Sequence, residues 1–170
     1  MNYLCLFKYK RDFKGELMLN FFKEIFETQP DTNQSHFNEE QKIQVAACTL
    51  LIEAAKADSN YTDIEYQKVV AILKEMFSLD DNQVEDIMNL AEKWIEKSVS
   101  VYEFTEIINR NFSQDEKYEL IKNIWKIVYS DNVLDKYEEH LVRIISNNLN
   151  QSHRDMIAAK LEAKEEFKKK

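Results

Sequence analysis

Only one glycine, Gly15, and one proline, Pro30, occur in 170 residues. β-Hairpins and tight sheet turns rely on Gly and Pro for backbone angles that other residues reach at a cost, so their scarcity argues against sheets. It favours an all-α fold whose helices are joined by short polar turns. It also excludes a Gly-rich phosphate-binding loop, because Gly15 stands alone near the N-terminus. The hydrophobic fraction of 44% and aromatic fraction of 12% separate the chain from disordered sequences. A chain of this length can form one domain with a sizeable core.

A net charge of −8 argues against a general nucleic-acid binder, which needs a basic face to displace counterions from phosphates. It is compatible with cation binding and with simple solubility. The cysteines, Cys5 and Cys48, are far apart and form no CxxC pair. Cys48 falls within a helical run and reads as a small core residue, with a reducing compartment as the default. No apolar run approaches the ~20 residues that span a bilayer. In "MNYLCLFKYKRDFKGELM" the basic residues Lys8, Lys10, Arg11 and Lys14 follow the apolar patch, which is the wrong order for a signal peptide. Residues 1–17 are expected to be a loose extension or the product of an upstream start codon. Residues 1–28 mix Phe, Leu and Lys, and one such segment would give a bilayer surface only marginal purchase.

The division expected is 1–37, an N-terminal extension with a short amphipathic helix from Met18 and a polar linker holding Pro30, then a helical domain over 38–167. In that domain one device recurs. A capping box places Ser, Thr, Asp or Asn at the N-cap and Glu or Gln three residues on, so that two side chains satisfy backbone N–H groups left unpaired at a helix start. The pairs are Asn38/Gln41, Thr62/Glu65, Asp80/Gln83, Ser100/Glu103, Ser113/Glu116 and Asp135/Glu138, with Ser152/Asp155 a weaker version. Each precedes an apolar stripe at helical spacing, such as Ile43, Ala47, Leu50 and Ala54, or Met156, Ile157 and Leu161. A compact bundle of about seven helices follows, ending in a frayed helix at "AKLEAKEEFKKK".

One loop appears twice. "DSNYTDIE" at Asp58 and "DNVLDKYE" at Asp131 both read Asp, an apolar residue, a cap and Glu between two helices. Asp58 maps to Asp131, Tyr61 to Leu134, Thr62 to Asp135 and Glu65 to Glu138; beyond the loop Val69 maps to Val142 and Ile72 to Ile145. Two helix–loop–helix units are therefore expected, and if they pack side by side their acidic loops converge. Asp58, Asn60 and Thr62 imitate the start of an EF-hand, but Asp63 stands where Gly is needed and Val69 where the final Glu is needed. Neither loop wraps a cation alone; a Ca or Mg site would combine Asp58, Glu65, Asp131 and Glu138, with Glu53 nearby. The competing reading makes Glu65 and Glu138 capping residues and the two aspartates turn-formers.

These strings also carry a likeness to a known family. "LLIEAAKADSNYTDIE", "LIKNIWKIVYSDNVLDKYEEHLVRII" and "SHRDMIAAK" resemble the tellurite-resistance TerB-like proteins, and in particular an uncharacterised bacterial branch of them, over about residues 38–163. Ser59 stands where the family commonly has Gly. The resemblance implies an all-α domain, a place in bacterial resistance to tellurite and other stresses, and acidic residues taken to bind divalent metal. It also implies domains that occur beside J-domains in membrane-tethered co-chaperones, and no firmly attached enzymatic activity.

Of the histidines, His36 lies in the linker and His140 follows Glu138 and Glu139 without an i,i+4 partner for zinc. The run His153, Arg154 and Asp155 suits partner contact better than metal ligation. No motif brings a nucleophile to a base, so no catalysis is expected. The expectation is a cytoplasmic, non-enzymatic stress-response module that works through protein partners and takes a divalent cation in its paired loops. The alternative is a metal-independent helical interaction or co-chaperone-type domain.

Overall fold

A computed structural model describes residues 39–57, 61–97, 100–130 and 135–169, all within the unit Asn38–Lys170. The expectations for residues 1–37, for Cys5 and His36, and for Asn38, Asp58, Asp131 and Leu134 lie outside them. The described residues form seven α-helices and no strand: α1 Glu39–Ala55, α2 Asp63–Phe77, α3 Asp81–Lys97, α4 Tyr102–Asn111, α5 Gln114–Val128, α6 Lys136–Asn148 and α7 His153–Lys168.

Capping chemistry starts most of these helices. Complete boxes form at Thr62/Glu65, Ser113/Glu116 and Asp135/Glu138. Asp80 and Gln83 exchange two bonds of 2.9 Å, and Asp155 N–H donates to the Ser152 hydroxyl at 3.1 Å. Ser100 differs. Its hydroxyl accepts from Tyr102 N–H at 3.2 Å, and α4 starts one residue later, behind an N-cap Val101 with helical backbone angles. Local pattern did not reveal this shift, because Ser100 offers its oxygen equally well to a shorter turn.

Helix ends are made without glycine. Ser78 closes α2 with φ 54°, and Asn150 follows α6 with φ 57°. After α6, Gln151 N–H donates to Ser146 O and Asn150 N–H to Asn147 O, both at 3.1 Å. This is a Schellman ending with Asn in the left-handed position, which Asn tolerates better than most residues because its short side chain bonds locally. The Gln151 amide then donates to the Gln114 side-chain oxygen at 2.7 Å, which ties this turn to the head of α5.

α1 is the centre of the domain and packs against α2, α3, α4, α5 and α6. It is not a one-sided stripe: Val45, Ala46, Cys48, Leu51, Ile52 and Ala55 are as buried as Ala47, Leu50 and Ala54, whereas Ile43 is only half-buried. A helix apolar all round is buried all round. Cys48 is fully buried with its thiol 3.4 Å from Met88 sulfur, a packing residue as expected. The Thr49 hydroxyl is satisfied by Val45 O at 2.8 Å.

α7 corrects the sequence reading of its buried face. It remains helical through Lys168, and its buried face is Met156, Ala159 and Ala163, with Leu161 left 56% exposed. The small alanines let α7 approach α5 closely, and charges then seal the seam. Lys126 pairs with Glu166 at 3.0 Å, Tyr118 hydroxyl donates to Glu162 at 2.8 Å, and the Lys160 ammonium lies 4.7 Å from the Trp125 ring centre. These partners lie on other helices, so the residues around "AKLEAKEEFKKK" could not reveal them.

Glu116 is exposed, and the Ser113 backbone N–H holds its carboxyl below the ordinary range, helped by the Ser113 side chain. A depressed folded-state pKa contributes stability that is present above the unfolded value and lost as pH falls through the folded one. Ser113→Ala should cost about 1 kcal/mol in urea melts at neutral pH. Its deficit should hold down to the usual carboxylate range and shrink as pH falls below it; a deficit still unchanged well below that range would mean that the Ser113 side chain does not help to hold the charge.

Candidate functional site

The two acidic loops differ from the other helix starts in burial. Glu65 and Glu138 are 2% and 1% exposed, whereas Glu116, in a box of the same geometry, is exposed. In the first loop Glu65 Oε2 accepts from Thr62 N–H at 2.7 Å and from the Thr62 hydroxyl at 2.9 Å. In the second, Glu138 Oε2 accepts from Asp135 N–H at 3.0 Å. The mapped positions behind them agree as well: Val69, Ile72, Val142 and Ile145 are all core residues, none more than 4% exposed. The repeat is thus a structural repeat as far as its described residues reach.

Ahead of each buried glutamate stands an exposed apolar side chain at the mapped position, Ile64 at 62% and Tyr137 at 60%. The Lys136 ammonium covers one face of Tyr137, 5.0 Å from the ring centre. Tyr61, expected as the apolar residue that closes the first loop, has a buried hydroxyl without a hydrogen-bond partner among the described residues. Its ring meets Tyr66 edge-on at 6.5 Å and has the Lys56 ammonium 5.2 Å from its centre. Burial pushes the phenol pKa up, and the negative groups around it, Glu92 and Glu65 among them, push the same way. Burial likewise raises Glu53, and the Lys56 ammonium pulls it partly back.

Of the five expected metal ligands, Asp58 and Asp131 lie outside the described residues. Glu53, Glu65 and Glu138 are not gathered into one group, and no cluster of three or more His, Cys, Asp or Glu fit to hold a metal occurs among the described residues. The donor type suits Ca or Mg, which prefer carboxylate oxygens, but a hard cation takes six or more oxygens, and the described residues do not assemble that shell. At the start of α7, His153 and Arg154 are exposed. Asp155 accepts from the Ser152 hydroxyl at 2.6 Å and is therefore engaged in the cap. No helix of the described residues is long and apolar enough to cross a membrane.

Sequence reasoning missed a cleft of about 450 Å³ between the end of α2 and the first turns of α5, lined in part by Phe77, Phe112 and Asn123. One signal was available. Leu120, Asn123, Ile124 and Ile127 share a helix face, so Asn123 puts an amide where the period calls for an apolar side chain.

Fold and site together define an all-α domain built around a buried central helix, with an acidic helix–loop–helix unit used twice. The chain belongs to the family described as Tellurite resistance protein TerB, whose profile matches residues 44–161. A crystal structure of a protein of unknown function from Porphyromonas gingivalis W83 is similar, with a TM-score of 0.56 and 15% identity over 80% of this chain and 96% of that one. At that identity the likeness concerns the fold alone. No curated protein matches the chain.

Proposed function

We propose that this chain is a cytoplasmic, non-enzymatic bacterial stress-response module that works through protein partners, with its two acidic loops as the working end. The observation that carries this reading is the matched pair of helix heads. Each sets a buried glutamate, Glu65 or Glu138, beside an exposed apolar residue, Ile64 or Tyr137. Capping alone does not require burial, since Glu116 caps α5 while exposed. A carboxylate taken out of water is costly unless an opposite charge or several donors offset it. A divalent cation held by Asp58 and Asp131 would add positive charge in front of the two glutamates and fix the loops for a partner.

Titration calorimetry of the full chain with Ca, Mg and Zn tests the cation. Saturable heat below the millimolar range, absent in an Asp58→Asn plus Asp131→Asn variant that melts cooperatively, is the expected result. No heat in folded protein would sink the cation part. The second reading, a metal-independent interaction domain, is favoured by one fact: Glu65 Oε2 and Glu138 Oε2 already accept from the N-cap backbone. It requires the same double variant to keep its partner affinity unchanged.

A further inference from the structure

The cleft between α2 and α5 combines three features that belong to one kind of ligand. Its floor is aromatic, with Phe77 and Phe112 at 6.5 Å between ring centres and 47° between planes. Its rim is acidic. Glu75 comes from the last turn of α2 and Asp115 from the first turn of α5, both exposed and neither ion-paired within the described residues. In its wall lies Asn123, only 8% exposed, whose side-chain amide makes no hydrogen bond with any described residue.

The remaining charges on the rim are already engaged. Glu116 caps α5, Glu119 holds Lys122 at 2.7 Å, and the one ammonium, Lys126, is paired with Glu166 at 3.0 Å. The cleft therefore presents net negative charge from its side chains; the C-terminal end of α2 and the N-terminal end of α5 both border it, so their dipoles offset one another. The Asn123 amide is not among the fully enclosed unpaired groups of the described residues, so it opens onto the cleft, where a ligand or water can satisfy it. The volume falls within the range of built ligand sites.

We propose that this cleft receives an arginine side chain from a partner protein, flanked in that partner by an apolar residue. The guanidinium is planar and weakly hydrated, and it stacks on aromatic faces while donating to several acceptors at once. Glu75, Asp115 and Asn123 Oδ1 are the acceptors, and Phe77 and Phe112 take its face and the neighbouring apolar residue. This assigns a chemistry to the partner in the reading above. It rests on the partner-dependent part of that reading and not on the cation.

The test is a titration of ¹⁵N-labelled full chain with the acetylated, amidated tetrapeptide Arg-Phe-Arg-Phe, run beside its Glu-Phe-Glu-Phe counterpart and spermidine. Saturable amide shifts at Phe77, Phe112 and Asn123 with the arginine peptide are expected, together with about tenfold weaker binding to Glu75→Gln plus Asp115→Asn. Both substitutions are at exposed positions, so the fold should persist. Asn123→Asp, which adds an acceptor charge, should tighten the peptide if it folds. Absence of cleft shifts at millimolar peptide, equal binding by the double variant, or spermidine binding there as tightly as the peptide would each overturn the proposal. Glu75→Gln plus Asp115→Asn should leave the cation heats unchanged. Loss of cleft binding with those heats intact refutes the cleft alone, and loss of the heats in wild-type protein refutes only the loops.

Discussion

Leu50→Ala should cost about 2–5 kcal/mol of unfolding free energy, a large share of the ~5–15 kcal/mol that holds a domain of this size together. Leu50 is fully buried in the middle of α1, and α1 is walled by five other helices. A cavity there cannot be filled by one neighbour sliding inward, because each wall is fixed by contacts of its own, so the upper half of the range is expected. Thermal melting should fall by roughly 10 °C, at about 2–4 °C per kcal/mol for this chain length. Leu161→Ala is the control. Leu161 is 56% exposed on α7, and its loss should stay within about 0.5 kcal/mol. Equal losses from the two would contradict both the central position of α1 and the register of α7.

Glu65→Ala and Glu138→Ala should each cost about 1–3 kcal/mol, more than Glu116→Ala, because each removes the acceptor of a loop N–H in a place with little access to water. The N-cap groups at risk are the Thr62 and Asp135 N–H, bonded at 2.7 and 3.0 Å. Gln at either position retains an oxygen for the box, so Glu65→Gln plus Glu138→Gln should stay folded and lose far less stability than the alanine pair. Cap and charge are thereby separated. If the loops take a cation, the glutamine pair should lose the calorimetric heats while keeping a cooperative melt near the wild-type midpoint. Heats of unchanged size in the glutamine pair would remove Glu65 and Glu138 from any cation site and leave them as caps.

The capping boxes were legible because they are local: Thr62 and Glu65 lie three residues apart and meet whenever a helix starts between them. The family was legible for a related reason, since the loop strings that carry the likeness are contiguous. The missed details were non-local. Ile43 and Leu161 fit helical spacing as well as their neighbours do, yet one is half-buried and the other exposed. Period fixes spacing along a helix, whereas the width and phase of the buried face depend on how many partners surround it.

Scarce Gly and Pro, the repeated box and the twofold acidic loop made this chain an all-α domain with two related helix–loop–helix units, because each follows from backbone angles and hydrogen bonds within a few residues. Only the tertiary structure decided that α1 lies at the centre, that Glu65 and Glu138 are buried while Glu116 is not, and that Glu75, Asp115 and Asn123 line one cleft. Burial and convergence are properties of surfaces brought together from distant helices, and no local pattern records which side chains will face each other across that distance.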